Sequence, residues 1–286
     1  MEDFTKNAMN IIFSDFQENV AKEPLCVLKS FSFDNGKLPN YTNLMHQQLF
    51  LLRYFPAYLC EYKYLYYEVV KEAKLSEYNV LSIGCGCFLD YHGLAFASAR
   101  SPLPIRYIGV DVIRWGYNGI FSNSDIQFCQ TKIEDFPFPE LVDYNIIFFP
   151  KSISEISDKG LNTFLGNLRG VNFTSDYIYV ISSTMDKGYR HDETKYKLII
   201  EYFKNIGFSC KNYQPAQEIK DKRAFNKFDR HFYYPDDVKD YLGTLNEKCS
   251  EYIKNSKSCS NDCKEMSRSP ILTTKYVSFL VNFLER

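Results

Sequence analysis

Two glycines and a carboxylate in the first half of the chain stand where a nucleotide-like ligand could be held. Gly84 and Gly86 follow the apolar run 80–83, and Asp111 follows a second apolar run, residues 106–110. Glycine lets the backbone turn tightly and approach a ligand closely. A carboxylate at the end of the neighbouring strand is placed to accept hydrogen bonds from ribose hydroxyls. These features predict a binding site at the carboxyl ends of two parallel strands.

The residues around the glycines separate two classes of ligand. A dinucleotide-binding loop has the pattern G-x-G-x-x-G, and its third glycine would fall on Leu89. This mismatch disfavours a nucleotide-dependent oxidoreductase. The stretch from Val80 to Gly86, with Asp90 soon after it, instead resembles the motif of the class I (Rossmann-like) methyltransferases that depend on S-adenosylmethionine (SAM). The resemblance covers about residues 78–213 and the last strand.

The resemblance implies roles for individual residues at the cofactor. Asp90 would help to hold the amino group of SAM, directly or through water, and Asp111 would bind the ribose hydroxyls beside Val112 at the adenine. The family often has an acidic residue facing the adenine amine, but its commonest position falls on Lys132, so Glu134 or its neighbour would substitute. The residues implied at the cofactor are Gly84, Cys85, Gly86, Asp90, Asp111, Val112, Ile133, Glu134, Phe149 and Arg53.

The candidates for catalytic groups are Lys151, Glu155 and His92, because methyl transfer needs an aligned acceptor and, where required, a base that removes its proton. Each would equally suit an ordinary solvated or packed position. The segment around Pro150 is not the N-P-P-Y-like tetrad of enzymes that methylate exocyclic amines of bases, and it lacks the cysteine of base C5-methyltransferases. Methylation of DNA bases is therefore disfavoured.

The flanking pattern predicts the elements that position these residues. Strands that alternate with helices predict an α/β fold: a Rossmann-like, mostly parallel seven-stranded sheet with helices on both faces. The predicted strands are 80–83, 106–110, 126–129, 144–149, 177–182, 208–213 and 271–284, and the predicted helices between them are 89–100, 161–168 and 193–206. Residues 1–77 are expected to form a helical cap, broken or kinked at Pro56, in front of a SAM-binding domain, 78–286. Residues 214–270, with a helix at 235–253, are expected to be an insertion that forms a substrate lid.

The composition narrows the class of partner and the compartment. The 34 Lys and Arg nearly balance the 35 Asp and Glu, which favours a small-molecule or protein acceptor over RNA and shows no DNA-binding signature. No secretory start and no membrane-spanning run are visible, so the chain is expected to be cytoplasmic. Cys249, Cys259 and Cys263 lack a tight C-x-x-C pair, so no metal site is predicted.

Two functions stay open on the sequence alone. The first is a SAM-dependent methyltransferase whose acceptor the sequence does not identify. The alternative is a catalytically inactive regulatory protein that binds SAM or a nucleotide, since the substrate-side tetrad is missing and Lys132 departs from the family pattern. Transfer of a methyl group to any acceptor distinguishes the two.

Overall fold

The computed structural model describes residues 1–31, 39–72, 75–185, 189–210, 232–249, 264–272 and 277–286. They fall into two compact units. The helical unit comprises Met1–Tyr58 and His231–Thr273, and the sheet unit comprises Leu59–Arg230 and Thr274–Arg286. One long helix, Leu44–Glu72, contributes to both.

The sheet unit contains nine described strands. They are β1 (Tyr78–Ile83), β2 (Ile105–Asp111), β3 (Ile126–Gln130), β4 (Leu141–Val142), β5 (Ile146–Pro150), β6 (Asn172–Phe173), β7 (Tyr177–Met185), β8 (Ser209–Cys210) and β9 (Val277–Glu285). Seven of them form one sheet in the order β3-β2-β1-β5-β7-β9-β8, and β4 pairs with β6 separately. Strand β9 runs antiparallel to both of its neighbours, whereas the other pairings in the large sheet are parallel.

Helices cover both faces of the large sheet, as predicted. The described helices of the chain are α1 (Glu2–Lys22), α2 (Leu44–Glu72), α3 (Leu89–Ser98), α4 (Asn118–Phe121), α5 (Asp158–Leu168), α6 (Tyr189–Asn205) and α7 (Asp236–Gly243). On one face, Phe164 of α5 and Ile199 of α6 join a core with Ile147 of β5. On the other face, Tyr62 and Tyr66 of α2 each meet the ring of Phe148 edge-on at 5.3 Å.

The strand order reverses between β1 and β5. From β1 the chain adds β2 and then β3 on one side, and it returns to place β5 on the other side of β1. In an open α/β sheet such a reversal leaves a crevice at the carboxyl ends of the two strands, because the following loops diverge. The loop 84–88 after β1 and the loop 151–157 after β5 therefore border a candidate ligand crevice.

The helical unit explains why Pro56 does not break α2. Of the two outcomes expected at Pro56, a break does not occur: the helix runs through it from Leu44 to Glu72. Proline cannot donate to the carbonyl four residues earlier, which here is Leu52, and its ring crowds that turn. The Tyr234 hydroxyl donates to the Leu52 carbonyl at 2.6 Å, and the Ile271 amide donates to the Arg53 carbonyl at 3.0 Å. Donors from elsewhere in the unit thus replace the missing helix bond.

Two further predictions need correction. The last strand begins at Val277 rather than 271, because the Ile271 amide is bonded to α2 instead of to a strand. The helix expected at 235–253 ends at Gly243, since glycine is a poor helix former, and a short 3-10 helix follows it. Most of the expected insertion, 211–231 and 250–263, lies outside the described residues, so its role as a lid stays a prediction. The described helices include none with the length and apolar character that would let it cross a bilayer.

Candidate functional site

The turn after β1 is built on two glycines in left-handed conformations. Gly84 has φ +73° and Gly86 has φ +55°, values that side-chain-bearing residues adopt at a cost. The Gly84 amide donates to the Val110 carbonyl at 2.7 Å, which ties the turn to the end of β2. A Cβ built on Gly84 would overlap the Cβ of Ser152. The loop after β5 therefore lies directly against this glycine, so the two sides of the crevice meet here.

Asp111 links the glycine turn to the end of β2. Its Oδ2 accepts a hydrogen bond from the Gly86 amide and its Oδ1 accepts one from the Ile113 amide, both at 2.9 Å. Burial raises the pKa of Asp111, and these amide bonds counteract the rise by stabilising the carboxylate. Each carboxylate oxygen can accept a second bond, so a ligand hydroxyl can still bind here. Val112 follows with 55% of its surface exposed and offers an apolar contact.

An aromatic side chain that sequence reasoning missed lies beside the turn. A Cβ on Gly86 would be 3.8 Å from the indole ring of Trp115, an ordinary van der Waals distance. Trp115 is buried and is the only tryptophan in the chain. Its position just after β2 is a signal that could have drawn attention to it. Its fluorescence gives the crevice an intrinsic probe.

The loop after β5 opens with a buried ion pair that sequence reasoning only half anticipated. Lys151 has φ +58°, a strained value for a residue with a side chain, and its Nζ lies 2.8 Å from Oε1 of Glu61 on α2. The two side chains are 11% and 1% exposed. The Ser183 hydroxyl at the end of β7 donates to the same Glu61 oxygen. Burial raises the pKa of Glu61 and lowers that of Lys151, and each partner opposes the shift of the other.

Three carboxylates influence one another across the carboxyl ends of β2, β5 and β7. The Glu155 side chain is exposed, yet partial removal from water, followed by repulsion from Asp111 and Asp192, raises its pKa to about 7. Asp192, in the first turn of α6, is buried and accepts a hydrogen bond from Thr184. Burial is also the main cause that raises the pKa of Asp192. The predicted residues Lys151 and Glu155 thus both lie close enough to Asp192 to be influenced by its charge, and Glu155 is also influenced by Asp111.

Asp90 is buried between α3 and β2. Its side chain is fully buried in the first turn of α3, and its Oδ1 accepts a hydrogen bond from the Tyr107 hydroxyl of β2 at 2.8 Å. Burial raises the pKa of Asp90 to about 6. Its contribution to ligand binding stays a prediction, and the contact that the structure shows supports α3 against β2.

Most of the remaining predicted residues support the walls of the site. Cys85 is buried with its sulfur against Gly109, where an added Cβ would lie 2.7 Å from Sγ. Phe149 and Ile133 belong to the core on the α5 and α6 face. A Cβ on Gly160 would lie 3.2 Å from Oε2 of Glu134, so this carboxylate sits at the start of α5.

The predicted residues His92 and Arg53 each have a backbone carbonyl as a hydrogen-bond partner. The His92 ring nitrogen Nε2 donates to the Phe121 carbonyl at 2.7 Å and so holds α3 to α4, and burial lowers the pKa of His92. Arg53 belongs to the helical unit, where its guanidinium donates to the Met266 carbonyl at 2.6 Å and covers the Phe31 ring. Of the three cysteines considered for a metal, only Cys249 is described, as a buried free thiol. The described residues hold no group of three metal-ligand side chains.

Comparison with known proteins finds similarity in structure but not in sequence. No family model matches the chain, and no curated protein sequence matches it. The plantazolicin methyltransferase BpumL, solved with S-adenosylhomocysteine (SAH), matches over 96% of this chain and 99% of its own at 10% identity and a TM-score of 0.45. Mycolic acid cyclopropane synthase CmaA1, also solved with SAH, matches over 78% of this chain and 83% of its own at 11% identity and a TM-score of 0.40.

Human N-acetylserotonin methyltransferase, solved with SAM, matches over 69% of this chain and 61% of its own, at 15% identity and a TM-score of 0.41. All three structures contain SAM or SAH. At these identities and TM-scores the matches carry no argument about ligand or activity. The predicted fold class is confirmed by the strand order and the placement of the helices.

Proposed function

We propose that the protein binds SAM in the crevice between β1 and β5 and transfers its methyl group to an acceptor. The observation that carries the proposal is the hydrogen bond from the Gly86 amide to Asp111, which joins the glycine turn after β1 to the end of the neighbouring strand β2. The bond brings together two features. The glycine turn lets a ligand approach the backbone closely, and the carboxylate keeps lone pairs that can accept hydrogen bonds from ribose hydroxyls.

The residues present fit the polar and charged groups of SAM. The glycine turn would hold the methionine part, Asp111 the ribose, and the exposed Val112 side chain the adenine. The carboxylates of Asp111, Glu155 and Asp192 suit a ligand that carries positive charge. When bound, SAM supplies a methyl group activated on a sulfonium.

On the acceptor side, Glu155 is the group best suited to take a proton. A general base works best when its pKa lies near the working pH, and the pKa of Glu155 is raised to about 7. Its exposed carboxylate can also meet a substrate, unlike the buried Asp192. The nearly balanced total charge favours a small-molecule or protein acceptor over RNA.

Calorimetric titration of SAM, SAH and NADH into the purified protein tests the binding part of the proposal. SAM and SAH should bind, and NADH should not. Asp111→Ala should weaken both adenosyl ligands by at least about tenfold, because it removes the ribose acceptor and loosens the Gly86 turn. A folded native protein that binds neither SAM nor SAH contradicts the proposal.

Asp143→Ala is the matched control. Asp143 precedes β5 at the opposite, amino edge of the sheet, where it pairs with Arg106 at 3.2 Å and is half exposed. This variant should bind both ligands as the native protein does. An equal loss of ligand affinity in both variants would show that the effect of Asp111→Ala comes from general destabilisation.

Transfer is tested with SAM labelled in its methyl group, incubated with the small-molecule, protein and RNA fractions of a cell extract. Label should appear in one of them with the native protein and not with Asp111→Ala. Label in RNA alone would contradict the proposed acceptor class. Tight SAM binding without label in any fraction would favour the inactive regulatory alternative.

A further inference from the structure

A buried lysine of α6 is bonded to the loop that follows β5. Lys195 is 5% exposed, and its Nζ donates to the Ile156 carbonyl and, at 3.4 Å, to the Ser154 carbonyl. The carboxylate of Asp158 lies 3.7 Å away but is itself 85% exposed. Lysine is rarely buried unless it is paired, because removing an ammonium from water costs free energy. The two loop carbonyls thus help to keep this ammonium in the interior.

The two carbonyls flank Glu155, the group proposed above to take a proton. The Glu155 amide donates to the Ser152 carbonyl at 2.9 Å, which closes a turn on its amino side. The Ser152 hydroxyl donates to the Ile83 carbonyl, and its Cβ lies against Gly84. The backbone of Glu155 is thus tied on one side to the glycine turn and on the other, through Lys195, to α6.

Lys195 acts on the backbone of this loop rather than on the charge of Glu155. Partial removal from water, followed by repulsion from Asp111 and Asp192, raises the pKa of Glu155 to about 7. A neighbouring cation would lower that pKa instead. The charge of Lys195 lowers the pKa of Asp192, and so stabilises that carboxylate. What the lysine sets at Glu155 is therefore where the carboxylate lies.

Resting on the function proposed above, we infer that Lys195 is a positioning residue: its bonds to the carbonyls on either side of Glu155 hold that carboxylate close enough to Asp111 to be influenced by its charge. A general base must lie within hydrogen-bond reach of the proton it removes, and a displacement of about 1 Å can cost about a hundredfold in rate. The Glu155 side chain is exposed, so its backbone anchors limit where it can lie. Lys195 acts through Glu155.

The protonation midpoint of Glu155 tests this inference, followed by NMR in protein labelled with ¹³C at the glutamate carboxyls. The signal is assigned by its loss in Glu155→Gln, and no ligand is added. Lys195→Met frees the loop, so the Glu155 carboxylate should gain water and move away from its two neighbouring carboxylates. Its pKa should fall by about one unit, from about 7 towards the ordinary value of about 4.3. Loss of a cation that acted directly on Glu155 would give the opposite sign.

Three further variants separate position from charge. Lys195→Arg keeps a long cationic donor and should restore the native midpoint. The fall should persist when Lys195→Met is compared with Lys195 in an Asp192→Asn background, where the lysine cannot act through that carboxylate. Lys204→Met removes a lysine that pairs with Glu201 on the exposed surface of the same helix, and it should leave the midpoint unchanged.

A merely structural role for Lys195 gives a different result. An unchanged or raised midpoint in folded Lys195→Met overturns the inference, and so does a fall that disappears in the Asp192→Asn background. If Lys195→Met does not fold, Lys195→Gln, whose neutral side chain is shorter by one bond, decides by the same sign. The titration needs no cofactor, whereas a native protein that binds neither SAM nor SAH rejects the proposed function. The two failures are therefore distinguishable.

Discussion

Replacement of Gly84 by alanine should destabilise the sheet unit much more than the same replacement at Gly86. Both glycines have left-handed φ values, which cost a residue with a Cβ about 1–2 kcal/mol. Only at Gly84 would the new methyl overlap Ser152, whereas at Gly86 it would make an ordinary contact at 3.8 Å with Trp115. Overpacking costs a further amount of about 1–3 kcal/mol. We therefore expect a loss of about 2–5 kcal/mol for Gly84→Ala and about 1–2 kcal/mol for Gly86→Ala.

Urea denaturation followed by tryptophan fluorescence measures both losses of stability. Because Trp115 is the single tryptophan of the chain, the signal reports on the sheet unit in both variants. Ser152→Gly removes the Cβ that would overlap the new methyl group. The double variant Gly84→Ala/Ser152→Gly should therefore lose less stability than the sum of the two single variants, which a double-mutant cycle measures as a favourable coupling energy. Equal losses for the two glycine variants, or no coupling with Ser152→Gly, would refute the reasoning that the two loops are in contact at Gly84.

Two further predictions concern the helical unit and the pH dependence of binding. Tyr234→Phe should lower the free energy of unfolding by about 1 kcal/mol in urea denaturation. The loss should be smaller in a Pro56→Ala background, because residue 56 then has an amide that can donate to the Leu52 carbonyl. An equal loss in both backgrounds would contradict the proposed replacement of the helix bond. The pKa of Glu155 is raised to about 7, so its carboxylate becomes charged as the pH rises from about 6 to about 8, and the SAM preference over SAH should rise over that interval. SAM and SAH share their other titratable groups, so the ratio isolates the protein's charge; an undiminished rise in Glu155→Gln would contradict the assignment.

The part of the site that lies within short stretches of sequence could be predicted. Gly84, Gly86 and Asp111 follow apolar runs, and a buried parallel strand followed by a glycine turn is readable from a few consecutive residues. The structure then adds what joins them, the hydrogen bond from the Gly86 amide to Asp111. The alternation of strands and helices predicted the sheet for the same reason, since each element is set by its own local pattern.

The charge arrangement could not be predicted, because it depends on residues far apart in the chain. Glu61, on a helix before β1, pairs with Lys151 after β5 and with Ser183 on β7. Each looks like a common polar residue in its own segment, and only folding shows that they are buried together. The surroundings of Asp90 could not be predicted for the same reason: its carboxylate, in the first turn of α3, accepts a hydrogen bond from Tyr107 on β2.

Pro56 shows how a local rule can be overridden from a distance. Proline at this position predicts a break in the helix, because it cannot donate a hydrogen bond to the Leu52 carbonyl. The Tyr234 hydroxyl donates to that carbonyl instead, although Tyr234 is far away in the sequence. No pattern around residue 56 announces this donor. Helix continuity here is a property of the folded unit rather than of the segment.

The most direct test of SAM binding in this crevice is the crystal structure of the protein soaked or grown with SAH. Density for the ligand should run along Gly84–Gly86, with its ribose hydroxyls at the Asp111 carboxylate, the adenine beside Val112, and the thioether towards the end of β5. A well-ordered crevice without ligand at saturating SAH, or ligand bound elsewhere, would contradict the assignment of the site.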